Sequence, residues 1–417
     1  MKRLVILSYQ TLPMDVVASY RTKAYCDHLA TFGIYPIIIT HRWEMDERGK
    51  WKYHDDDDVV VEETARYKII RLPRKMPQTT FRWRAGTTMA AFLRGDLEPE
   101  LKASCQTFRT FLLSYLEEEK VDALLAIFNP HFPMKIAEEI RRRFGIPYLA
   151  DFRDLWDNQV VTKSYQPTNK KKLIDAIIRY WWKRWIGNAE FFTTTCDIWL
   201  QFLEQLSGKK GYVVRNGFEE EYSIESVPER TPEFVVTHFG SLYAVHNHTV
   251  FVEGYKKFLQ IVGRGPVLEI IGNKGKYGVD PSRILADLPS YAWRSTPYMS
   301  KRELYEHCRS QTSVFWMPGF LEDNGQVPVK VYDYLLLKKN ILLAPSCGSD
   351  LESIVTGTGA GVVCDTAEEV CRQLERWYLS YRSNGGIGYE GNSDAIQRYA
   401  RRHQVRIMAE AIHTHFA

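Results

Sequence analysis

Short apolar runs alternate with amphipathic stretches along the whole chain. Residues 4–7 and 37–39 are apolar and bounded by polar residues, which is the pattern of strands buried on both faces. The residues between them have helical spacing from Ser19, a predicted N-cap, to about Phe32, and Gly33 is expected to end the helix. A strand, a helix and a strand joined by short links predict the beginning of a parallel sheet.

The same alternation continues to the C-terminus. Further strands are predicted at 69–70, 123–127, 147–150, 191–194, 212–214, 234–236, 267–271, 292–295, 313–317 and 341–343. Further helices are predicted at 101–119, 135–144, 170–186, 249–259, 301–309, 368–381 and 395–413. A polar stretch with prolines at 223–232 divides the alternation into two series, which predicts two doubly wound α/β domains.

Composition narrows the class of protein. The 417 residues carry a net charge of only +4, too little to indicate a nucleic-acid partner. The seven cysteines are scattered, with no Cys-x-x-Cys and no metal-ligand spacing with the eleven histidines, so we expect a reducing compartment and no metal. No apolar run reaches about 18 residues, which predicts a cytoplasmic protein, peripheral at the inner face of the membrane at most.

Residues 323–343 carry the most informative pattern. A polar loop with Gly325 and Gln326 leads into a short predicted helix and then a buried strand. Lys330 and Asp333 are three residues apart and therefore share a face of that helix. A cation for phosphate and a carboxylate for sugar hydroxyls are the groups that a nucleotide-sugar site needs, and a helix N-terminus adds unpaired N–H groups.

This segment resembles the donor-site loop of GT-B glycosyltransferases close to retaining family four. In that family two acidic residues frame the donor. Asp333 matches the second, whereas Gly325 stands at the first, with Glu322 or Asp323 as nearby substitutes. The resemblance implies two Rossmann-like domains facing across a cleft: an acceptor-binding domain at 1–215, a donor-binding domain at 216–394 and a helix within 395–417 that crosses back. It also implies chemistry without a metal or cofactor.

Asp151-Phe-Arg-Asp-Leu-Trp156 follows the predicted strand 147–150 and resembles an Asp-Phe-Arg-Asp-Pro-Trp signature of a subgroup of that family. We expect Asp151 or Asp154 to orient or deprotonate the acceptor hydroxyl and Arg153 to steady the charge of a phosphate or of the acceptor. The alternative is a buried Asp–Arg pair with a purely structural role.

Two further residues are predicted to touch substrate in the first domain. Arg21 lies where relatives hold a glycine-rich phosphate loop, and its guanidinium is suited to clamp phosphate. His131 follows the predicted strand 123–127 and is a candidate acceptor contact. A surface arginine and a structural histidine are the alternatives.

Strand-end glycines mark the donor side of the second domain. Gly240 and Ser241 allow a diphosphate to approach the backbone, and Gly272 with Asn273 repeats the arrangement one strand later. The family typically continues with an Arg and a Lys that neutralise the leaving nucleotide; here Tyr243 follows, so neutralisation falls to Lys330 and Arg21.

Stripes of aromatic and basic residues at 177–185 and 81–84 favour helix packing, with docking on anionic lipid as the alternative. The leading hypothesis is a retaining glycosyltransferase that transfers a sugar from a nucleotide-diphosphate donor to a saccharide or lipid-linked acceptor in cell-surface polysaccharide assembly. The alternatives are a sugar-nucleotide epimerase and a non-catalytic nucleotide-sugar-binding or scaffold subunit of a polysaccharide assembly complex.

Overall fold

The computed structural model describes residues 1–46, 50–54, 58–73, 85–220, 231–273, 278–346, 348 and 350–416. The predicted stripe at 81–84 and most of the stretch 223–232 lie outside these residues. The chain forms two compact units: unit 1 comprises Met1–Asn216 with Arg401–Ala417, and unit 2 comprises Gly217–Ala400.

Unit 1 is built on an eight-stranded sheet of order β10-β9-β8-β7-β1-β2-β6-β5. Within the described residues every pairing in this sheet is parallel except that of β5 with β6. Two further strands, β3 and β4, form an antiparallel pair. The strands are β1 (Lys2–Leu7), β2 (Ile34–His41), β3 (Trp43–Met45), β4 (Trp51–Tyr53), β5 (Val60–Glu63), β6 (Lys68–Leu72), β7 (Ala123–Phe128), β8 (Tyr148–Phe152), β9 (Phe192–Thr194) and β10 (Gly211–Val213).

Helices pack on this sheet. They are α1 (Val17–His28), α2 (Ala85–Leu93), α3 (Lys102–Glu118), α4 (Phe132–Phe144), α5 (Asn169–Asn188), α6 (Asp197–Ser207) and the last helix of the chain, α14 (Arg401–His415). The last helix packs on α1, and its Met408 and Ile412 join the core that contains Leu4 and Tyr25. The C-terminal helix therefore belongs to unit 1.

Unit 2 contains a six-stranded parallel sheet of order β13-β12-β11-β14-β15-β16. Renumbered from its own first strand, this order is 3-2-1-4-5-6, the doubly wound order of dinucleotide-binding domains. The strands are β11 (Val235–Phe239), β12 (Val267–Ile271), β13 (Trp293–Thr296), β14 (Val314–Met317), β15 (Asn340–Leu343) and β16 (Gly361–Val363). The helices are α7 (Thr249–Val262), α8 (Pro281–Ile284), α9 (Lys301–Gln311), α10 (Lys330–Leu336), α11 (Asp350–Gly357), α12 (Ala367–Asn384) and α13 (Ser393–Gln397).

Three local predictions were wrong. Ser19 does not cap α1, because the helix begins at Val17 after the N-cap Val16 and Ser19 is buried inside it. The strand predicted at 147–150 continues to Phe152, so Asp151 lies inside β8. The helix predicted at 395–413 is two helices, since the chain leaves helical geometry before Ala400, which bridges to Phe218.

Candidate functional site

The candidate site in unit 2 lies where the strand order reverses. β11 and β14 are neighbours in the sheet, but the helices that follow them lead in opposite directions along it. In open α/β sheets, ligands bind outside the carboxyl ends of the strands at this point. The loop after β11, with Gly240 and Ser241, meets the start of α10, with Lys330, at this point.

Lys330 is the charged centre of this site. Its Nζ lies 3.2 Å from His238 Nε2 and 3.2 Å from the Ser241 carbonyl oxygen. Both partners are uncharged: the second is a backbone carbonyl, and the first is a histidine whose pKa is lowered well below its ordinary value. Desolvation lowers the pKa of Lys330 to about 7, although the nearby Asp333 carboxylate acts in the opposite direction. A desolvated ammonium with neutral partners is a group that gains strongly from an anionic ligand.

A contact with His238 helps to position the Lys330 ammonium. This buried residue of β11 places Nδ1 3.1 Å from the Trp316 carbonyl oxygen. Burial and the charge of Lys330 lower the pKa of His238 well below its ordinary value, so the ring is neutral. Because a carbonyl oxygen can only accept, Nδ1 carries the proton, and Nε2 accepts a hydrogen bond from the Lys330 ammonium.

Gly240 makes room for the lysine. Its φ of 83° favours glycine, and a Cβ at this position would lie 3.3 Å from Lys330 Nζ. Ser241 contributes its carbonyl oxygen to the lysine. The structure therefore brings Gly240, Ser241 and Lys330, three residues of the predicted donor set, next to one another.

The two loops at the switch point are joined to each other. Leu321 N donates to the Val245 carbonyl oxygen at 2.9 Å, and Asn247 N donates to the Gly319 carbonyl oxygen at 2.9 Å. A side chain on Gly319 is sterically excluded, since its Cβ would lie 1.9 Å from the Pro345 carbonyl oxygen. Backbone hydrogen bonds therefore hold the two loops together beside the lysine.

His246 and His248 lie in the first of these loops. Desolvation lowers the pKa of His246 to about 3 and that of His248 to about 4. His246 Nδ1 accepts a hydrogen bond from Tyr243 N at 3.3 Å, and its ring packs edge-on against Phe320. Both rings are neutral, so the positive charge that these two residues could add to the site is absent at neutral pH.

Asp333 and the polar loop before α10 complete the predicted donor set. Asp333 is half-buried and accepts a hydrogen bond from the Tyr305 hydroxyl of α9. Gly325 N donates to Asp323 Oδ1 and Gln326 N to Asn324 Oδ1, both at 2.9 Å, so these two amides are satisfied within the loop. The helix itself has only seven residues, and its N-cap is Val329 rather than a polar residue.

Gly272 and Asn273 lie one strand away from the switch point. Asn273 Oδ1 accepts a hydrogen bond from Leu242 N, and its Nδ2 donates to the Val279 carbonyl oxygen, both at 2.9 Å. Gly272 has a φ of 65° and packs against Tyr298. Asn273 thus holds the loop after β11 in place, while Tyr243 is exposed beside it.

In unit 1, Arg21 and Asp151 form a buried ion pair. Arg21 Nε and Nη2 each donate to an Asp151 carboxylate oxygen at 2.7 Å, and Nη1 donates to the Val214 carbonyl oxygen at 2.8 Å. Asp151 also accepts from Tyr25 and Thr193, and neither member of the pair is more than 3% exposed. Desolvation lowers the pKa of Arg21, but the Asp151 carboxylate outweighs it and raises the pKa above the usual range.

This burial contradicts the direct roles predicted for these two residues. Every charged oxygen of Asp151 already has a donor, and the guanidinium of Arg21 is enclosed by protein. Neither can clamp phosphate or deprotonate an acceptor in this conformation. The structural alternative for the motif, a buried Asp–Arg pair, is what the structure contains, with Arg21 as the partner instead of Arg153.

Arg153 and Asp154 are the accessible part of the same motif. Arg153 Nη2 donates to Gln10 Oε1 at 2.8 Å, and its Nε is buried with no hydrogen-bond partner among the described residues. Burial lowers the pKa of Arg153 and raises that of Asp154, the latter partly offset by Arg153. Both lie beyond the carboxyl end of β8, and Gln10 lies beyond that of β1.

His131 begins α4 at the switch point between β1 and β7 of unit 1. It is 7% exposed, its Nδ1 lies 3.3 Å from Glu98 Oε1, and its ring packs against Phe128 and Trp182. A histidine enclosed in this way has little surface left for an acceptor.

The aromatic stripe at 177–185 is part of the core. Trp182 and Trp185 are fully buried, and the Trp181 indole donates to the Phe92 carbonyl oxygen. Helix packing is therefore the outcome for this stripe, and its buried tryptophans cannot dock on lipid. In the part of the chain that the structure describes, no helix is both long and apolar enough to cross a membrane. Among the same residues, no cluster of three or more His, Cys, Asp or Glu side chains is arranged to hold a metal ion.

Sequence reasoning missed several residues of the unit 2 site. His238 lies in an apolar strand, where a buried histidine is indistinguishable from any other core position. Gly319 was not singled out, although it follows the apolar run 313–317 directly before the donor loop. The positions of His238 in β11 and of Gly319 after β14 became informative only once the strand order was known.

Solved structures similar to this chain extend over its whole length. Sucrose-phosphate synthase from Thermosynechococcus elongatus has a TM-score of 0.63 at 14% identity, and the match covers 100% of this chain and 99% of that one. Anabaena HepE in complex with UDP-glucose has a TM-score of 0.59 at 11% identity, covering 99% and 100%. Trehalose 6-phosphate synthase from Burkholderia multivorans has a TM-score of 0.58 at 12% identity, covering 100% of both.

The chain has the GT-B fold. The prediction of two Rossmann-like α/β domains is thereby confirmed. No protein-family model and no curated protein matches the amino-acid sequence. At 11–14% identity, the GT-B likeness establishes the fold of this chain, while its activity is argued from the site.

Proposed function

We propose that this GT-B chain is a glycosyltransferase whose nucleotide-diphosphate sugar binds at the switch point of unit 2. The observation that carries the proposal is the desolvated Lys330 ammonium, held by His238 and the Ser241 carbonyl at the carboxyl end of a doubly wound sheet. The GT-B neighbours support the proposal. One of them, HepE, was solved in complex with UDP-glucose, and another is a sucrose-phosphate synthase.

Lys330 would stabilise the leaving group. In glycosyl transfer the bond from the anomeric carbon to the diphosphate oxygen breaks, and its electron pair remains on the diphosphate. The acceptor oxygen forms the new bond to the anomeric carbon as its hydroxyl loses a proton. A cation that is already desolvated and positioned stabilises the developing diphosphate charge without reorganisation of solvent. Asp333, one turn further along α10, would accept a hydrogen bond from a sugar hydroxyl.

Glycines would leave room for the donor beside Lys330. Gly240 and Gly272 follow adjacent strands with positive φ, and neither adds a side chain of its own between the strand ends and a ligand. The proposed donor-binding set also includes Gly325 and Gln326, in the loop before α10, and Tyr243, in the loop after β11. Ser241 and Asn273 would shape the loop after β11. No cofactor or metal has a role in this proposal.

Asp154 is the carboxylate that we propose for the acceptor. Asp151 is enclosed by Arg21, Tyr25 and Thr193, whereas Asp154 is half-buried, and desolvation raises its pKa, which makes the carboxylate a stronger base. Arg153, the neighbouring cation, would bind acceptor charge. The acceptor class we propose is a saccharide or lipid-linked glycan of cell-surface polysaccharide assembly, with retention of configuration and a cytoplasmic location.

A nucleotide screen tests the donor site. The melting temperature of the protein would be measured with UDP, GDP, dTDP and CMP and with their common sugar conjugates, for the wild type, Lys330→Ala and the surface control Lys256→Ala. A ligand at a hundred times its Kd adds about 2.7 kcal/mol to the free energy of unfolding. We expect one base to raise the melting temperature of the wild type and of Lys256→Ala, and to leave Lys330→Ala unshifted.

Two results would count against the proposal. If no nucleotide shifts the wild type, unit 2 has no donor site of this kind. If a nucleotide binds but its sugar is neither transferred nor hydrolysed with any acceptor, the chain is a nucleotide-sugar-binding subunit instead of an enzyme.

A further inference from the structure

A cavity lies at the amino end of the unit 2 sheet, opposite the edge that holds Lys330. Its volume is about 370 Å³, within the range of small-molecule sites. It is lined by Thr231, Ser313, Lys338, Lys339, Asn340, Tyr381, Asn384, Gly386, Ile387, Gly388 and Tyr389. Ser313 immediately precedes β14 and Lys339 immediately precedes β15, which places the cavity beneath the strand starts.

Lys339 is the unusual member of this lining. The residue is only 8% exposed, and the structure gives its ammonium no hydrogen bond and no ion pair among the described residues. Desolvation lowers the pKa of Lys339 to about 8, with a small opposing effect of Cys308, so the group is still charged at neutral pH. Buried lysines are almost always paired, which makes an unpaired one a mark of a missing anion.

The rest of the lining fits an anion with an organic body. Lys338 adds a second cation, and the lining contains no carboxylate. Tyr389 also lines the cavity, but its hydroxyl oxygen is enclosed by protein and has no hydrogen-bond partner among the described residues, so the two lysines are the groups that can contact an anion. Ile387 and the ring of Tyr381 supply apolar surface.

The walls of the cavity are held in place by hydrogen bonds. Asn340 Nδ2 donates to the Gly388 carbonyl oxygen at 2.8 Å, and the Tyr381 hydroxyl donates to the Thr231 carbonyl oxygen at 2.8 Å. The segment after α12 is thereby fixed to the start of β15, and the far end of α12 to the residues before β11. A preformed cavity binds without the cost of ordering its walls.

We propose that this cavity is a second binding site of unit 2, for a small organic phosphate whose phosphate group is bound by Lys339 and Lys338. It is distinct from the donor site, because it lies at the opposite ends of the strands and shares no residue with it. Its existence does not depend on the proposed transferase activity.

The site makes a prediction that a structural role for these residues does not make. Lys339→Met removes an unpaired buried charge, so this variant should melt at or above the temperature of the wild type without ligand. It should nevertheless bind organic phosphate more weakly. Residues that only support the fold would lower the melting temperature when removed.

The test measures binding of glucose 6-phosphate, glucose and inorganic phosphate to the full chain. Calorimetry gives the affinities, and the NMR shift of the Ile387 methyl resonance shows whether the ligand binds in the cavity. We expect glucose 6-phosphate to bind at least tenfold tighter than inorganic phosphate, to shift the Ile387 resonance, and glucose not to bind. Lys339→Met should weaken the binding of glucose 6-phosphate at least 30-fold and Lys338→Met about threefold to tenfold, whereas Lys330→Met should leave it within twofold.

The nucleotide arm separates this proposal from the previous one. Lys339→Met should bind the donor nucleotide like the wild type but lose glucose 6-phosphate. Lys330→Met should show the opposite behaviour, so each loss is assigned to one site. The proposal is overturned if glucose 6-phosphate does not bind, if it binds no tighter than inorganic phosphate, or if Lys339→Met binds it like the wild type.

Discussion

At the scale of single residues, the two lysines of unit 2 with lowered pKa are the sharpest features. Lys330 and Lys339 both lose hydration without gaining a carboxylate partner in direct contact. Each is a cost to the folded protein that a bound anion would offset. Sequence analysis singled out Lys330 because of its spacing from Asp333, but Lys339 looked like an ordinary helix-end lysine, since burial is not visible in the sequence.

The lowered pKa of Lys330 predicts how stability depends on pH. The folded state binds this proton less tightly than the unfolded state, so the unfolded chain holds more protons between the folded pKa of about 7 and the ordinary value of 10.5. The cost is therefore full below pH 7 and disappears as the pH rises through that window. Lys330→Met should raise the free energy of unfolding by about 1–3 kcal/mol at pH 7 and by much less at pH 10.

Urea unfolding of wild type and Lys330→Met at both pH values measures this difference, with Lys256→Met as the exposed control. The neighbouring histidines do not contribute to this pH dependence. The pKa values of His238 and His246 are lowered well below 7, so neither ring titrates between pH 7 and pH 10. Equal stability of Lys330→Met and wild type at pH 7 would show that the ammonium is well solvated.

The two carboxylates of the Asp151–Trp156 motif should behave differently. Asp154→Asn should lower the rate of sugar transfer by about 10²–10⁴-fold, the range typical of a lost general base, and leave donor affinity within twofold. Initial rates and calorimetry with the nucleotide sugar identified by the screen measure the two quantities. Normal transfer by Asp154→Asn would remove this residue from the proposed chemistry.

At the scale of elements, the buried pair of Arg21 and Asp151 joins α1 to β8. Thr193 of β9 and the Val214 carbonyl are bound by the same pair, so four segments of unit 1 converge on it. The sequence signature was visible, but the partner of Asp151 lies 130 residues away, and no local pattern indicates such a pairing. The sequence therefore does not show that Asp151 and Arg21 are enclosed.

A double-mutant cycle tests the structural role of the pair. Asp151→Asn and Arg21→Met should each destabilise unit 1 by about 3–5 kcal/mol, because each leaves a buried charged group unpaired. The double variant should be less destabilised than the sum of the two, with a coupling energy above about 1 kcal/mol. Additive effects in urea unfolding would mean that the two groups do not depend on each other.

Elements with strong periodicity were predictable, and short or amphipathic ones were not. The fully buried strands β1, β2, β7 and β12 stood out as apolar runs, because both faces are covered by helices. β5 escaped notice because it lies at a sheet edge with alternate side chains exposed, and β16 because it has only three residues, all of them half-buried. Helix α6 was missed because its residues directly follow the strand 192–194 with little polar separation.

At the scale of the whole molecule, the fold class followed from alternation alone, but the positions that matter followed from strand order. The sequence predicts two α/β series. Only the order β13-β12-β11-β14-β15-β16 reveals that the loops after β11 and β14 share a switch point. The donor residues were therefore predicted individually, while their meeting point and its neutral histidines were not.

The assignment of α14 to unit 1 makes a prediction for the whole chain. Met408 is fully buried in the core of unit 1, so Met408→Ala should cost about 2–5 kcal/mol there. Exposed Arg402→Ala on the same helix should change stability by less than about 0.5 kcal/mol. Hydrogen exchange should accelerate in β1 and β7 of Met408→Ala and stay unchanged in β11 and β12. Equal acceleration in all four strands would contradict the division into units.

The most direct measurement is a calorimetric titration of the wild type, Lys330→Met and Lys256→Met with the nucleotide sugar found by the screen, in two buffers of different ionisation enthalpy at pH 8. We expect the wild type and Lys256→Met to take up a proton on binding, because a diphosphate raises the pKa of Lys330 from about 7. Lys330→Met should bind at least tenfold more weakly and take up none. Tight binding by Lys330→Met, with the same proton uptake as the wild type, would show that the donor does not bind at Lys330.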